Sequence, residues 1–246
     1  MSTFCPLNMG FVDNPELSKH CRTCIKRHNT LFSALSVESL ECVNAARQSL
    51  HFEKGDTVFK QGNKPLGLYI LSEGRVKNVC VNDSGSEQIF SLNKAVEFIG
   101  FEDFLTNTAH SWSAVALSPL TICFIARDAI ERVMRADPAF STRVSRHIAE
   151  LHLQAVRREA NLRSKHMMGR MAETLLYLHE CFGLNGRVQS IDLALKRSDF
   201  AALANMNTSN AIRVLSALAK DGCISLDGSE LTFHDTNRLR YISLHH

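Results

Sequence analysis

The sequence lacks any apolar run near the roughly 20 residues that span a bilayer, so no membrane partner is expected. Its first ten residues, MSTFCPLNMG, have neither a basic start nor an apolar stretch, and no secretory signal is read there. There is no Gly-rich phosphate loop, no H-E-x-x-H helix and no evident Ser/His/Asp set. These absences argue against an enzyme. With 45% hydrophobic and 22% charged residues, composition is that of an ordinary globular protein, and a cytoplasmic one is expected. In that setting the eight cysteines should be thiols or metal ligands rather than disulfides.

Charge is not scarce but it is uneven. Residues 127–220 hold 15 Lys/Arg against 9 Asp/Glu, whereas residues 1–126 hold 11 against 12. The basic second half suits a polyanion or a plain solvated surface. A Cys-x-x-Cys pair, Cys21 and Cys24, lies in the basic stretch KHCRTCIKRH. Such a pair can ligate a metal, cycle as a dithiol, or do neither. A dithiol oxidoreductase would place it at a strand-to-helix junction of a βαβ unit, and no such unit follows Cys24.

From Phe52 to Ile125 the chain reads as short β-like runs (TVF, LYIL, VKNVCV, EQIFSL, SAVAL, TICFI) separated by Gly55, Gly62, Gly74, Gly85 and Gly100. That spacing predicts a small antiparallel barrel or roll. The period then changes. DAIERVMRADP reads as a short helix stopped near Pro138. Phe140, Val144, Ile148, Leu151 and Ala155 form one stripe of a long helix ending near Arg163, with Arg143, Arg146, Arg157 and Arg158 opposite. The stripe can bury on the protein's own roll or on a second subunit. A further helix, HMMGRMAETLLYLHECFG, ends at Gly183.

Next, RSDFAALAN and TSNAIRVLSALAKDG read as two short helices about a turn at Asn205, which tolerates a left-handed backbone. Thr208 is the expected cap of the second helix and Gly222 its end, with Ala211, Val214, Leu215 and Leu218 on the buried side. CISLDGSELTF reads as a two-stranded wing. Asn207, Thr208, Ser209 and Asn210 at the front of the second helix suit base edges and phosphates, and Arg213 suits guanine. The expected partner is double-stranded DNA.

The order of parts resembles the CRP/FNR family of bacterial transcription regulators, across nearly the whole chain. FEKGDTVFKQGNKPLGLYILSEGRVKNV looks like the family's roll signature, and RSDFAALANMNTSNAIRVLSALAKDG like its DNA-binding helices. The resemblance implies an α+β fold: an N-terminal antiparallel β-roll of the cyclic-nucleotide-binding, jelly-roll type, a long dimerisation helix and a C-terminal winged helix-turn-helix. Implied boundaries are an arm over 1–30, a sensory roll over 31–128, the dimerisation helix over 129–164 and the DNA-binding domain over 165–246. A homodimer on a near-palindromic site, working with RNA polymerase, is the implied assembly.

Cyclic-AMP binding is not expected, because Phe101 stands where the family's nucleotide binders have Glu, and Trp112 where they have the phosphate-holding Arg. His110 could restore the charge, but it reads as a polar loop histidine. FIGFED is instead similar to the FNR branch, which holds an iron–sulfur cluster. A [4Fe–4S] cofactor is thereby implied on Cys21, Cys24 and Cys123, with Arg22, Lys26 and Arg27 favouring thiolates. The chain departs from that branch in having no cysteine in IKRHNTLF, so Cys5 is taken as the fourth ligand, ahead of His20 and His28. Cys42, Cys80, Cys181 and Cys223 are read as core. Zinc, a thiol switch, haem or a small metabolite acting on the same fold stays the alternative signal.

Overall fold

The computed structural model describes residues 31–81, 87–182, 190–192 and 195–245. Two four-stranded antiparallel sheets form the roll. The first is ordered β1–β8–β3–β6 from Arg47–Phe52, Leu120–Ala126, Gly67–Glu73 and Phe98–Ile99. The second is ordered β2–β7–β4–β5 from Thr57–Phe59, Ser113–Ala116, Arg75–Val81 and Glu87–Lys94. Residues alternate in and out along each strand. Leu71, Ile99, Leu120 and Ile122 of the first sheet meet Phe59, Val76, Ala114 and Ala116 of the second in one buried cluster. Gly74, at the β3–β4 turn, has φ +92°, and a Cβ there would lie 2.4 Å from the Cβ of Leu120. The turn therefore requires glycine.

Helices cover the other face of the first sheet. A 3-10 turn, Leu31–Ala34, leads into α1 (Val37–Ala45), whose Ser36 cap accepts a hydrogen bond from the Ser39 amide at 3.1 Å. The short helix α2 (Phe101–Thr106) interrupts the strands after β6. The helix α3 (Arg127–Ala136) follows β8 directly, and α4 (Pro138–Ser164) starts after a break at Asp137. Asp137 accepts from the Phe140 amide at 2.8 Å, and Pro138 occupies the first turn, where no amide partner is lost. Phe32, Ile70, Phe98, Phe101, Ile125, Ile130, Val133, Phe140 and Val144 form a second buried cluster in this layer.

The predicted stripe on α4 is buried against the roll at its start and opens along its length, with Ile148 and Leu151 half-buried and Ala155 exposed. Phe140 and Val144 are 1% and 3% exposed, whereas Leu153 and Val156, off the stripe on the other side of the helix, are 52% and 48% exposed. Arg158 is not on a solvated face, because its guanidinium lies 4.0 Å from the centre of the Tyr177 ring. After α4 come α5 (Met167–Phe182), β9 (Ser190–Asp192), α6 (Arg197–Leu203), α7 (Thr208–Lys220), β10 (Ile224–Asp227), β11 (Glu230–Phe233) and α8 (Thr236–His245). Strands β10, β11 and β9 make a small sheet, so the wing has three strands where the sequence suggested two. The core of this unit also takes in Val79, Ile89, Leu92 and Leu117 from the roll. No helix among the described residues is long and apolar enough to cross a membrane.

Candidate nucleic-acid interface and sensory roll

Helix α6 begins where the Lys196 amide donates to the Asp199 carboxylate at 2.8 Å. Asn205 turns the chain with φ +49°, and the Met206 amide donates to the Ala201 carbonyl at 2.9 Å. Helix α7 then starts one residue earlier than expected. Its cap is Asn207, whose side-chain oxygen accepts from the Asn210 amide at 2.8 Å, while Thr208 is already helical. Asn207 keeps an extended backbone, as a cap must, and this commits its oxygen to the helix. Asn210 is committed too, since its oxygen accepts from Arg213 Nη2 at 3.2 Å.

Ala211, Val214, Leu215 and Leu218 are buried, so α7 is held by one face. The opposite face presents Thr208, Ser209, Ile212, Arg213 and Ser216 to solvent. Helix α7 contains no acidic residue. This is an exposed helix face with two hydroxyls at its front, one guanidinium and no acid, of the kind that enters a major groove. Among the predicted residues, Thr208, Ser209 and Arg213 are exposed, with Arg213 hydrogen-bonded to Asn210, while the side-chain oxygens of Asn207 and Asn210 hold the helix and its arginine. Ile212 was missed by residue-type reasoning. Its position opposite the buried row was the available signal.

In the roll, His110 is not the polar loop histidine expected. It is 2% exposed and stacks on Phe59 at 3.7 Å between ring centres and 12° between planes. Neither ring nitrogen has a hydrogen-bond partner, and Nδ1 lies 3.6 Å from an oxygen of the buried Asp103. Burial pushes the imidazole pKa below its ordinary value, against the opposing pull of Asp103. Asp103 accepts instead from Ser111, through its amide at 3.0 Å and its hydroxyl at 2.7 Å. The His110 backbone pairs with Asn63 and Gly62, each at 2.8 Å. Loop sequence alone gives no sign of these contacts.

Phe101 is 2% exposed and packs on Phe98, with ring centres 4.9 Å apart. Trp112 packs edge-on against Phe90 at 5.0 Å. Cys123 lies on β8, opposite Ser49 of β1 and Ile70 of β3, and packs half-buried against the same cluster as Phe32. Cys5, Cys21 and Cys24 lie outside the described residues. Among the described residues no three His, Cys, Asp or Glu side chains converge as a metal site. Cys223 is fully buried, and burial pushes the half-buried Cys181 thiol up to about 11. Cys42 and Cys80 are only half-buried, rather than core.

Two junctions join roll, long helix and DNA-binding unit. The Tyr177 hydroxyl meets the backbone of Leu92 on the free edge of β5, accepting from its amide at 3.4 Å and donating to its carbonyl at 3.3 Å. At the other, Lys165 Nζ donates to Glu173 and to Ser243, each at 2.7 Å, and Asn161 of α4 donates to Glu173 at 3.1 Å. Burial pushes the Glu173 carboxyl up, but these hydrogen bonds outweigh it and hold the group below its ordinary value.

Residues 49–137 match the cyclic nucleotide-binding domain family, and residues 169–242 match the Crp-like helix-turn-helix domain. The chain is 24% identical to the anaerobic regulatory protein of Haemophilus influenzae, over 89% of this chain and 86% of that one. It is also 24% identical to the transcriptional activator protein anr of Pseudomonas aeruginosa, over 89% and 91% of the two chains. The solved structure of FixK2 from Bradyrhizobium japonicum superposes with a TM-score of 0.70, at 18% identity, over 80% of this chain and 96% of that one. Roll, long helix and winged helix-turn-helix thus recur in order. The chain is a DNA-binding transcription regulator, not an enzyme, and it belongs to the CRP/FNR family.

Proposed function

We propose that this regulator senses oxygen, redox state or nitric oxide through an iron–sulfur cluster held by its N-terminal arm and Cys123, and binds a near-palindromic DNA site as a homodimer that works with RNA polymerase. The observation that carries this reading is where the arm ends. Phe32, just after it, stacks on Phe140 at the start of α4 at 5.8 Å and meets Phe98 edge-on at 5.9 Å. Cys123 packs against that same cluster. The donor types suit the group: Cys21, Cys24, Cys123 and Cys5 would hold it, and thiolates are its usual ligands. Bound there, a cluster supplies an oxidisable, soft-metal crosslink. This chain's own residues do the rest, since the Phe32–Phe140 contact links arm position to the first turn of α4.

The names of the relatives from H. influenzae and P. aeruginosa, an anaerobic regulator and a transcriptional activator, agree with this reading. Phe101 and Trp112 speak against a cyclic phosphate in the roll, because neither offers a charge and both are engaged with aromatic neighbours. The exposed Leu153 and Val156 on α4 support a partner helix from a second copy.

The test is anaerobic purification with an absorbance spectrum and iron and acid-labile sulfide analysis. The expected protein is brown, bleaches in air and loses DNA affinity as it does so. Cys123→Ala should be colourless, and Cys223→Ala should still load metal if it folds. Colourless protein holding one zinc per chain would sink the sensor assignment.

A further inference from the structure

We propose that Ile212 reads the 5-methyl group of a thymine in the major groove. The inference rests on the proposed site-specific DNA binding and deepens it. Ile212 is 46% exposed, and it is the one large apolar side chain on the outer face of α7. The fold does not need it there. The inward row is already complete, with Ala211 and Leu218 at 0%, Leu215 at 2% and Val214 at 5% exposure. Its neighbours on the outer face are Thr208 one turn before, Ser209, Arg213 and Ser216 one turn after, all exposed.

An aliphatic side chain can neither donate nor accept a hydrogen bond. On a surface that meets base edges it has one apolar complement, because the thymine C5-methyl is the apolar group that base pairs present in the major groove. Isoleucine also suits the task by stiffness. Its β-branch leaves one strongly preferred χ1 in a helix, so little side-chain freedom is lost on contact. Arg213 Nη2 donates to Asn210 at 3.2 Å, which orients the guanidinium on the same helix. Ser209 cannot accept from cytosine as a carboxylate would, and α7 has no acid elsewhere. The helix therefore discriminates with a methyl contact, the hydroxyls of Thr208, Ser209 and Ser216, and one guanidinium. A half-site containing thymine close to the guanine read by Arg213 is the implied target.

The experiment uses the full-length protein, purified without oxygen, and a duplex library with randomised half-sites. Each thymine of the selected half-site is then replaced in turn by deoxyuridine, which pairs identically but lacks the methyl. One position should weaken wild-type binding about fourfold, the worth of one buried methyl group. Ile212→Ala, which keeps a good helix former on an exposed face, should bind the thymine and uracil duplexes equally. A selected site at which no uracil weakens binding would overturn the methyl contact alone. So would an Ile212→Ala protein that still discriminates. A library that yields no preferred sequence would overturn the site-specific reading and this inference with it.

Discussion

Replacing His110 by phenylalanine should remove a pH dependence from the folding of the roll. In the native protein the ring is buried and its pKa lies below the ordinary histidine value. The facing titratable group is Asp103 at 3.6 Å, and the other polar ring nearby is Tyr69 at 6.3 Å between centres. Above about pH 6.5 the imidazole is neutral in both folded and unfolded chains and contributes no pH dependence. As pH falls through 6.5 the unfolded chain takes up the proton first. Stability then declines, by at most about 1.4 kcal/mol per pH unit for one proton, until folded His110 protonates as well. Phenylalanine keeps the stack on Phe59, and Ser111 still donates twice to Asp103. The backbone bonds to Asn63 and Gly62 also survive the change. The assay is urea unfolding of both proteins at half-unit steps from pH 8 to pH 5, with the difference curve isolating His110 from the other ten histidines. A flat difference curve would refute the argument that burial holds His110 neutral. Truncation to alanine instead should cost about 2–4 kcal/mol at pH 8, as expected for deleting a buried ring, and less at pH 5, because it removes the same titration.

Leu153→Glu with Val156→Glu should give monomers in sedimentation with an unchanged far-UV spectrum, since both side chains are exposed within one chain; an intact dimer would place the interface elsewhere. Tyr177→Phe should raise amide exchange at Leu92 at least several-fold, because its hydroxyl accepts from that amide and donates to the carbonyl of the same residue; unchanged protection would mean the roll edge does not depend on the hydroxyl. Asn207→Ala should cost about 1 kcal/mol through loss of the α7 cap, and should weaken binding to specific and random DNA together. Arg213→Ala should cost about 1–3 kcal/mol on the specific site only, and equal weakening on random DNA would make it a phosphate contact.

The sequence by itself determined the order of the main elements, though β1, β6, α2, β9 and α8 were not read from it. Short β-branched runs between glycines, then apolar residues at helical spacing, report the backbone directly, because strand and helix expose one face at periods of 2 and 3.6 residues. Asn205 and Gly222, both at positive φ, were legible for the same local reason. So was the buried row of α7. What tertiary structure alone decided depends on neighbours far along the chain. His110 became a buried ring because β2 brings Phe59 beneath it. The α4 stripe is buried only at its start, where Phe140 meets Phe32, while Leu153 and Val156 on the other side of the helix stay exposed. Tyr177 meets Leu92 across 85 positions of sequence, and Lys165 meets Ser243 across 78. Spacing within a segment fixes which side of that segment is apolar, but only packing selects what lies against it.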